Sequence, residues 1–329
     1  MKIQDVARKA NVGVGTVSRV INNNGYVSEK TREKVERAIR ELQYTPNELA
    51  RNLYHNKTNT VAVIVPDISN PFYASLVNEI EMNLRRKGYK TMLCNTVGEQ
   101  TNEELYLSML QRNMVDGILT ASHSLDSKKY AGITGPVVSF DTAPLSDRIP
   151  VITVDHREGG RMAARLLLES GCKHIVQFHD NMFDKFPFFE RHQEFEKTVR
   201  EAGAEYVSYI MERDCFTEDF YGRIVDNWFD KYPQTDGVFG TDMLAAFCLK
   251  KALSKGMHVP DDLKIVSYDG TLLANMVYPT LTCIRQPVPE IAKAGVEQLM
   301  KIIKDGKADR KVIKLPVTIE RGMTTMTER

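Results

Sequence analysis

The sequence predicts a small all-α head of helix-turn-helix form joined to a larger α/β body built on parallel sheets. In the first 55 residues, apolar side chains recur at helical spacing in three short segments, the first two split by a tight turn at Asn11–Gly13. From Thr60 onward, short Val- and Ile-rich runs alternate with longer amphipathic stretches, which is how strands covered by helices on both faces read. Charge divides at the same place. Residues 1–59 hold 11 Lys+Arg against 6 Asp+Glu, and the remainder holds 33 against 37, so a net charge of +1 hides a basic head on a mildly acidic body.

The first helix is set by Ile3, Val6, Ala7 and Ala10, which share one face. The second is set by Val17, Val20 and Ile21, which leaves Val14, Gly15, Thr16, Ser18 and Arg19 pointing elsewhere. The third has Val35, Ala38, Ile39 and Leu42 at i, i+3, i+4 and i+7. Ser28 is placed to cap it, although Thr31 is not the Glu or Gln of a capping box. Three such helices close a small core, and a helix-turn-helix places its second helix in the major groove of duplex DNA. The residues left outward suit that partner. Arg19 matches the O6 and N7 acceptors of guanine as a bidentate donor. Thr16, Ser18 and Asn22 are short donors suited to phosphate oxygens. An isolated arginine is usually a solvated surface residue; the motif around Arg19 favours base contact.

This head resembles the lactose/galactose repressor family of bacterial transcription regulators. The resemblance rests on Asp5-Val6-Ala7, Ala10-Asn11-Val12, the run Thr16 to Asn22, Val27-Ser28, Thr31-Arg32, Leu42, Tyr44, Pro46-Asn47 and Leu49-Ala50-Arg51. It continues to about residue 321. Asp269-Gly270-Thr271 and Gly25-Tyr26-Val27-Ser28 look most like the sucrose-type repressors of the family. The resemblance implies that Val14, Gly15 and Arg19 face base edges. Many members carry larger polar side chains at the first two positions. Here Val14 offers contact with a thymine methyl, whereas Gly15 offers only close approach and weakens its helix by roughly 1 kcal/mol relative to Ala. Base discrimination then leans on Arg19, the hinge and DNA shape.

The segment Asn47 to His55 corresponds to the family's hinge, with Ala50, Leu53 and Tyr54 at its minor-groove positions and Leu53 at that of the wedging leucine. A wedged apolar side chain unstacks a base step and kinks the duplex. A helix this short is marginal in water on its own, so order on DNA is physically expected. The plain alternative is that Leu49 and Leu53, an i, i+4 pair, bury against the body. The expected domains are a DNA-binding head at 1–46, a hinge at 47–59 and an effector-binding, dimerising body at 60–329.

In the body, the strand runs are 60–65, 91–94, 117–119, 137–140, 151–154, 174–178, 237–239 and 264–268, with helical stretches that include 71–87, 102–113, 157–170, 189–202, 242–255 and 289–304. Two doubly wound lobes fit this pattern; periodicity alone leaves one sheet or a barrel open. The resemblance implies the periplasmic-binding-protein fold, with one lobe at about 60–155 plus 286–313 and the other at about 156–285 plus 314–329. Ligands in such sheets lie beyond the carboxyl ends of the strands. Asp141 and Asp269 follow strands and suit pairs of sugar hydroxyls. Arg191 opens a helix and donates a fork of hydrogen bonds. Phe72, Tyr73 and Phe216 suit the apolar face of a sugar ring. The resemblance assigns these six to an effector pocket, together with Asn70, His123, Lys185, Thr241 and Gln286. The bland alternatives are a helix N-cap for each carboxylate and core packing for Phe72 and Tyr73. Phe183-Asp-Lys-Phe-Pro-Phe-Phe189 departs from the family pattern and puts aromatic bulk beside the pocket.

The resulting expectation is a cytoplasmic, homodimeric, sequence-specific repressor of carbohydrate-utilisation genes. A small sugar or sugar phosphate would bind between the lobes and act allosterically on two heads bound to a pseudo-palindromic operator. No apolar leader segment and no run of 18 apolar residues is present. The five cysteines are scattered without a C-x-x-C, and the seven histidines lack H-x-x-x-H spacing. No enzyme activity, metal or cofactor is expected, although His174, His179 and Asp180 form the one group readable as acid–base chemistry. Two other readings stand beside this one: a catabolite-control-type regulator whose corepressor is a phosphocarrier protein, and a sugar-binding transport protein, which shares the body fold but has no need of a basic head.

Overall fold

The computed structural model describes residues 1–45, 57–96, 100–122, 130, 132–142, 146, 148–180, 186–211, 217–308 and 311–325. The hinge positions Ala50, Leu53 and Tyr54 and the pocket positions His123, Lys185 and Phe216 lie outside these. The chain divides into two compact units, Met1–Thr58 and Asn59–Arg329.

In the head, α1 is Ile3–Ala10, α2 Val14–Asn22 and α3 Glu29–Glu41. Val6, Ala7, Ala10, Val17, Val20, Val35 and Ala38 form the buried core, with Ile3, Val12, Ile21, Ile39, Leu42 and Tyr44 packed around it. The sharp turn between α1 and α2 depends on Asn11, which takes the left-handed conformation (φ 53°) that closes α1. Gly13 keeps φ at −70° and accepts through its carbonyl from Thr16 N and Val17 N at 2.9 and 3.2 Å. Ser28 stands at the N-cap of α3, but its hydroxyl pairs with that of Thr31 at 2.9 Å and caps no backbone N–H. The capping expected of its side chain is therefore corrected: with Thr31 at the third helical position, the two short hydroxyls satisfy each other.

The body holds two six-stranded sheets. The first runs β11-β5-β4-β3-β1-β2, with β1 Thr60–Val65, β2 Lys90–Asn95, β3 Gly117–Thr120, β4 Val137–Phe140, β5 Val151–Val154 and β11 Val312–Leu315. Every pairing in it is parallel. The second runs β12-β10-β9-β8-β6-β7, with β6 His174–Asp180, β7 Glu205–Met211, β8 Gly237–Thr241, β9 Lys264–Asp269, β10 Thr282–Arg285 and β12 Thr318–Glu320. Here only the β10–β12 edge is antiparallel. Read from β2 in the first sheet and from β7 in the second, each has the order 2-1-3-4-5, the doubly wound order whose reversal opens a crevice at the carboxyl ends. One sheet or a barrel is thereby ruled out.

Helices cover both faces: α4 Pro71–Arg86, α5 Gln100–Gln111, α6 His156–Glu169, α7 Glu190–Glu201 (preceded by a 3₁₀ turn at Pro187–Phe189), α8 Glu218–Lys231, α9 Asp242–Ser254, α10 Leu272–Met276 and α11 Val288–Asp305. Alternate residues of one strand therefore enter different cores. Val61, Val63 and Val65 of β1 join one cluster, while Ala62 and Ile64 join another. This is why the inner strands are apolar throughout instead of alternating. β11 pairs through Leu315 with Val154, so the first lobe runs to Leu315, two residues past its expected bound of about 313, and the chain crosses near Leu315–Pro316, where the family resemblance implies a crossing.

Helices α6 and α7 of the second lobe approach so closely that a Cβ on Gly160 would stand 2.0 Å from the carbonyl oxygen of Arg191. Gly160→Ala should cost about 2 kcal/mol or more through overpacking, read as a lowered midpoint in urea. An unchanged midpoint would contradict the close packing of these helices.

Candidate functional site

On the head, α2 presents Val14, Gly15 and Arg19 as exposed residues, while Thr16, Ser18 and Asn22 are half-buried. Apart from its chain neighbours and the backbone of its own helix, no atom of the described residues lies within 4 Å of where a Cβ on Gly15 would stand. The edge from Val14 to Arg19 is thus open, with one guanidinium at its end. Asn22 Nδ2 donates to Ser18 Oγ at 3.2 Å. Those two expected phosphate donors are therefore bonded to each other. Tyr26, on the loop before α3, is 91% exposed. Sequence reasoning gave it no role, since a loop residue belongs to no periodic face.

In the body, the described pocket positions gather where the strands of both sheets end. Asn70 caps α4, its Oδ1 accepting from Phe72 N at 2.9 Å. Phe72 and Tyr73 meet edge to face at 5.4 Å, half-buried against the core. A narrow crevice is lined by Asn70, Pro71 and Phe72 of the first lobe and Thr241, Asp242, Met243, Asp269 and Thr271 of the second. Asp269 is not a helix cap. It is 7% exposed and accepts from Gln286 Nε2 at 2.8 Å, and the N-cap of α10 is Thr271. Gln286 is 4% exposed, and its Oε1 is buried with no hydrogen-bond partner among the described residues. An unsatisfied buried acceptor is costly, and this one belongs to the side chain that bonds Asp269 of the crevice.

Two carboxylates face this crevice with opposite support. Asp242 accepts from Ser267 Oγ at 2.6 Å, Thr271 N at 2.6 Å and Thr271 Oγ1 at 2.7 Å. Burial raises its pKa, and these donors pull it back. Burial pushes Asp269 up to about 7, the Asp242 carboxylate adds to the rise, and the Arg191 guanidinium opposes it. Asp242 was missed from sequence, although it follows β8 closely, as Asp269 ends β9. Applying the strand-end rule to every strand would have found it.

Asp141 lies just after β4 with φ 49° and accepts from Thr153 Oγ1 at 2.6 Å and His156 Nε2 at 2.9 Å. Arg191, in the first turn of α7, lies over the Tyr268 ring with Cζ 4.3 Å from its centroid, and its Nε donates to His192 Nε2 at 3.2 Å. Burial holds His192 well below the usual histidine pKa, with the Arg191 charge adding to the effect, so it serves as a neutral acceptor. The described part of the aromatic stretch packs locally, Phe186 on Phe188 at 5.5 Å and Phe189 against His179 at 5.8 Å. His174 pairs with Glu205 and His179 with Ser208, toward opposite ends of β6. His174 and His179 therefore do not come together as one group.

Residues 2–47 match the family described as bacterial regulatory proteins, lacI family, and residues 164–325 match a periplasmic binding protein-like domain. The chain is 37% identical to a sucrose operon repressor of Streptococcus mutans over 98% of both chains. It is 35% identical to a ribose operon repressor of Halalkalibacterium halodurans, over 98% of this chain and 96% of that one. Among solved structures, a periplasmic binding protein/LacI transcriptional regulator from Alkaliphilus metalliredigens complexed with D-xylulofuranose superposes with a TM-score of 0.74 at 31% identity. That match covers 82% of this chain and 100% of the other.

Proposed function

The chain belongs to the lacI family of bacterial regulatory proteins and is a DNA-binding repressor under effector control; from that premise we propose how the two sites divide the work. The head reads an operator through the Val14–Arg19 edge of α2, with Arg19 supplying the base-specific hydrogen bonds and Thr16, Ser18 and Asn22 near the phosphates. A small carbohydrate binds where the lobes meet. Its hydroxyls donate to Asp269 of the second lobe, to Gln286 at the crossing between the lobes and to Asp141 of the first, Arg191 donates to its oxygens, and Phe72 lies against its ring. The observation that carries this reading is the buried Gln286 Oε1, which has no hydrogen-bond partner among the described residues, beside Asp269.

Sugar bound between lobes shifts operator affinity only through contacts that differ between two lobe arrangements. Release of operator on sugar binding is the expected sign. Two copies are expected on one palindromic site. The exposed apolar side chains of Leu272, Met276 and Tyr278 on the second lobe fit burial against a second copy. No helix among the described residues is long and apolar enough to cross a membrane, and we place the protein in the cytoplasm with its DNA.

The test is a melting-temperature screen against sucrose, D-ribose, D-xylulose and their phosphates. A ligand at 100 times its Kd stabilises by about 2.7 kcal/mol, so one sugar should raise the melting temperature by several degrees. A flat panel, with capture of a phosphocarrier protein from the same cell extract, would instead favour corepression by a protein partner.

A further inference from the structure

The two lobes are tied together by a residue to which neither the sequence reading nor the family comparison gives a role. His156 is the first residue of α6, directly after the chain leaves β5 of the first lobe. Its side chain is 1% exposed. Nε2 lies 2.9 Å from Asp141 Oδ1 in the first lobe, and Nδ1 lies 3.1 Å from the Tyr268 hydroxyl in the second. An ionised carboxylate only accepts, so Nε2 carries a proton and donates to Asp141. With that single proton on the ring, Nδ1 is an acceptor and takes the Tyr268 O–H. Burial raises the tyrosine pKa, which keeps the hydroxyl protonated.

Both ends of this chain touch proposed effector contacts. Asp141 is one of them. At the other end, Arg191 lies 4.3 Å over the ring of Tyr268. The helix that carries His156 is also shaped around the tyrosine: a Cβ on Gly159 would stand 2.8 Å from the Tyr268 hydroxyl oxygen. The imidazole and phenol rings stack at 5.9 Å with 25° between their planes. A hydrogen-bonded path therefore runs Tyr268 to His156 to Asp141 across the lobe boundary, and it cannot keep both bonds if the lobes rotate by more than a few tenths of an ångström at this point.

We propose that His156 is a positioning residue that couples the two lobes: its paired bonds to Asp141 and Tyr268 form a strut, present in one lobe arrangement and broken in the other, which biases the operator-affinity equilibrium. The proposal rests on the reading that lobe arrangement controls operator binding. A bond present in only one of two states shifts their ratio by its own net contribution, about threefold to tenfold for a single hydrogen bond of this kind.

The test uses the full-length chain, Tyr268→Phe and His156→Gln. Tyr268→Phe removes one hydroxyl and keeps the ring beneath Arg191. Histidine ring ¹⁵N spectra of wild type should show one imidazole, assigned through His156→Gln, whose unprotonated Nδ1 is hydrogen-bonded; in Tyr268→Phe that resonance should move toward the free-acceptor position. Operator affinity without added sugar should change by about threefold or more in both variants, and the change produced by a saturating sugar such as sucrose should shrink. A purely structural role would lower melting temperature and leave the operator affinity of the folded fraction unchanged. An Nδ1 resonance unmoved in Tyr268→Phe would overturn the strut, and a moved resonance with wild-type operator affinity would overturn its regulatory role. A wild-type chain that binds operator but ignores every sugar would count against the effector reading; the strut would still be decided by the spectra and the sugar-free affinities.

Discussion

Arg19→Ala is expected to remove most of the operator preference while leaving sugar affinity within experimental error of wild type. The expectation follows from the composition of the exposed edge of α2. Val14 offers a methyl contact, Gly15 offers no side chain, and only Arg19 carries donors that match a base pair in the major groove. One bidentate contact is worth about 1–3 kcal/mol of discrimination, or roughly fivefold to 150-fold in the ratio of operator to random-duplex affinity. The same change removes one positive charge from a head whose first 59 residues carry net +5. Non-specific affinity should therefore fall modestly and in a salt-dependent way. Competition binding with operator and scrambled duplex at two salt concentrations separates the two effects. Equal loss on both duplexes would reduce Arg19 to a phosphate contact.

The second large effect belongs to Asp269. Replacing it with asparagine should abolish the sugar response, because a carboxylate that accepts from sugar hydroxyls is replaced by an amide, half of which donates. The same substitution should stabilise the protein above neutral pH. The sign follows from linkage. Asp269 titrates at about 7 in the folded chain, against an ordinary value of 3.8, because burial and the Asp242 carboxylate oppose its charge. Between about pH 4 and pH 7 the folded protein then holds a proton that the unfolded chain has released. Stability accordingly falls as pH rises through that window and levels off above it, by an amount on the order of a few kcal/mol. Asp269→Asn has no charge to bury, so its melting temperature at pH 8 should exceed wild type by several degrees, and the two should converge at about pH 4 and below. Parallel pH profiles would show that Asp269 ionises freely. A sugar titration unaltered in the variant would remove Asp269 from the effector site.

Much of this was legible in the sequence, for identifiable physical reasons. The strands with long β-branched runs, such as 60–65 and 264–268, are covered on both faces, and their apolar continuity signalled them directly. The edge strand Glu205–Met211 was not read, because it is half exposed and its mixture of Glu, Ser, Tyr and Ile lacks that continuity. Helix α8 was passed over among aromatic residues, although Tyr221, Ile224, Val225 and Trp228 sit at helical spacing and are all buried. Of the residues read from strand ends, Asp269 lines the crevice and Asp141 lies just after β4, since a doubly wound sheet brings every carboxyl end to one side. What the sequence could not carry is pairing at a distance. That His156 reaches both Asp141 and Tyr268 depends on where two sheets meet, and no local pattern records it. Asn22 bonding Ser18 is the opposite case: an i, i+4 pair on one helix, legible in principle and read instead as two separate contacts.

The most direct test is fluorescence anisotropy of the full-length chain on a duplex selected from a random library, with and without the sugar that raises its melting temperature. A pseudo-palindromic sequence should be enriched, and saturating sugar should weaken its binding by tenfold or more, in the range of about 1–3 kcal/mol typical of coupling between sites. Enrichment of no sequence, or an operator affinity that stays constant as the sugar saturates its site, would contradict a repressor whose α2 edge reads DNA under control of the cleft between its lobes.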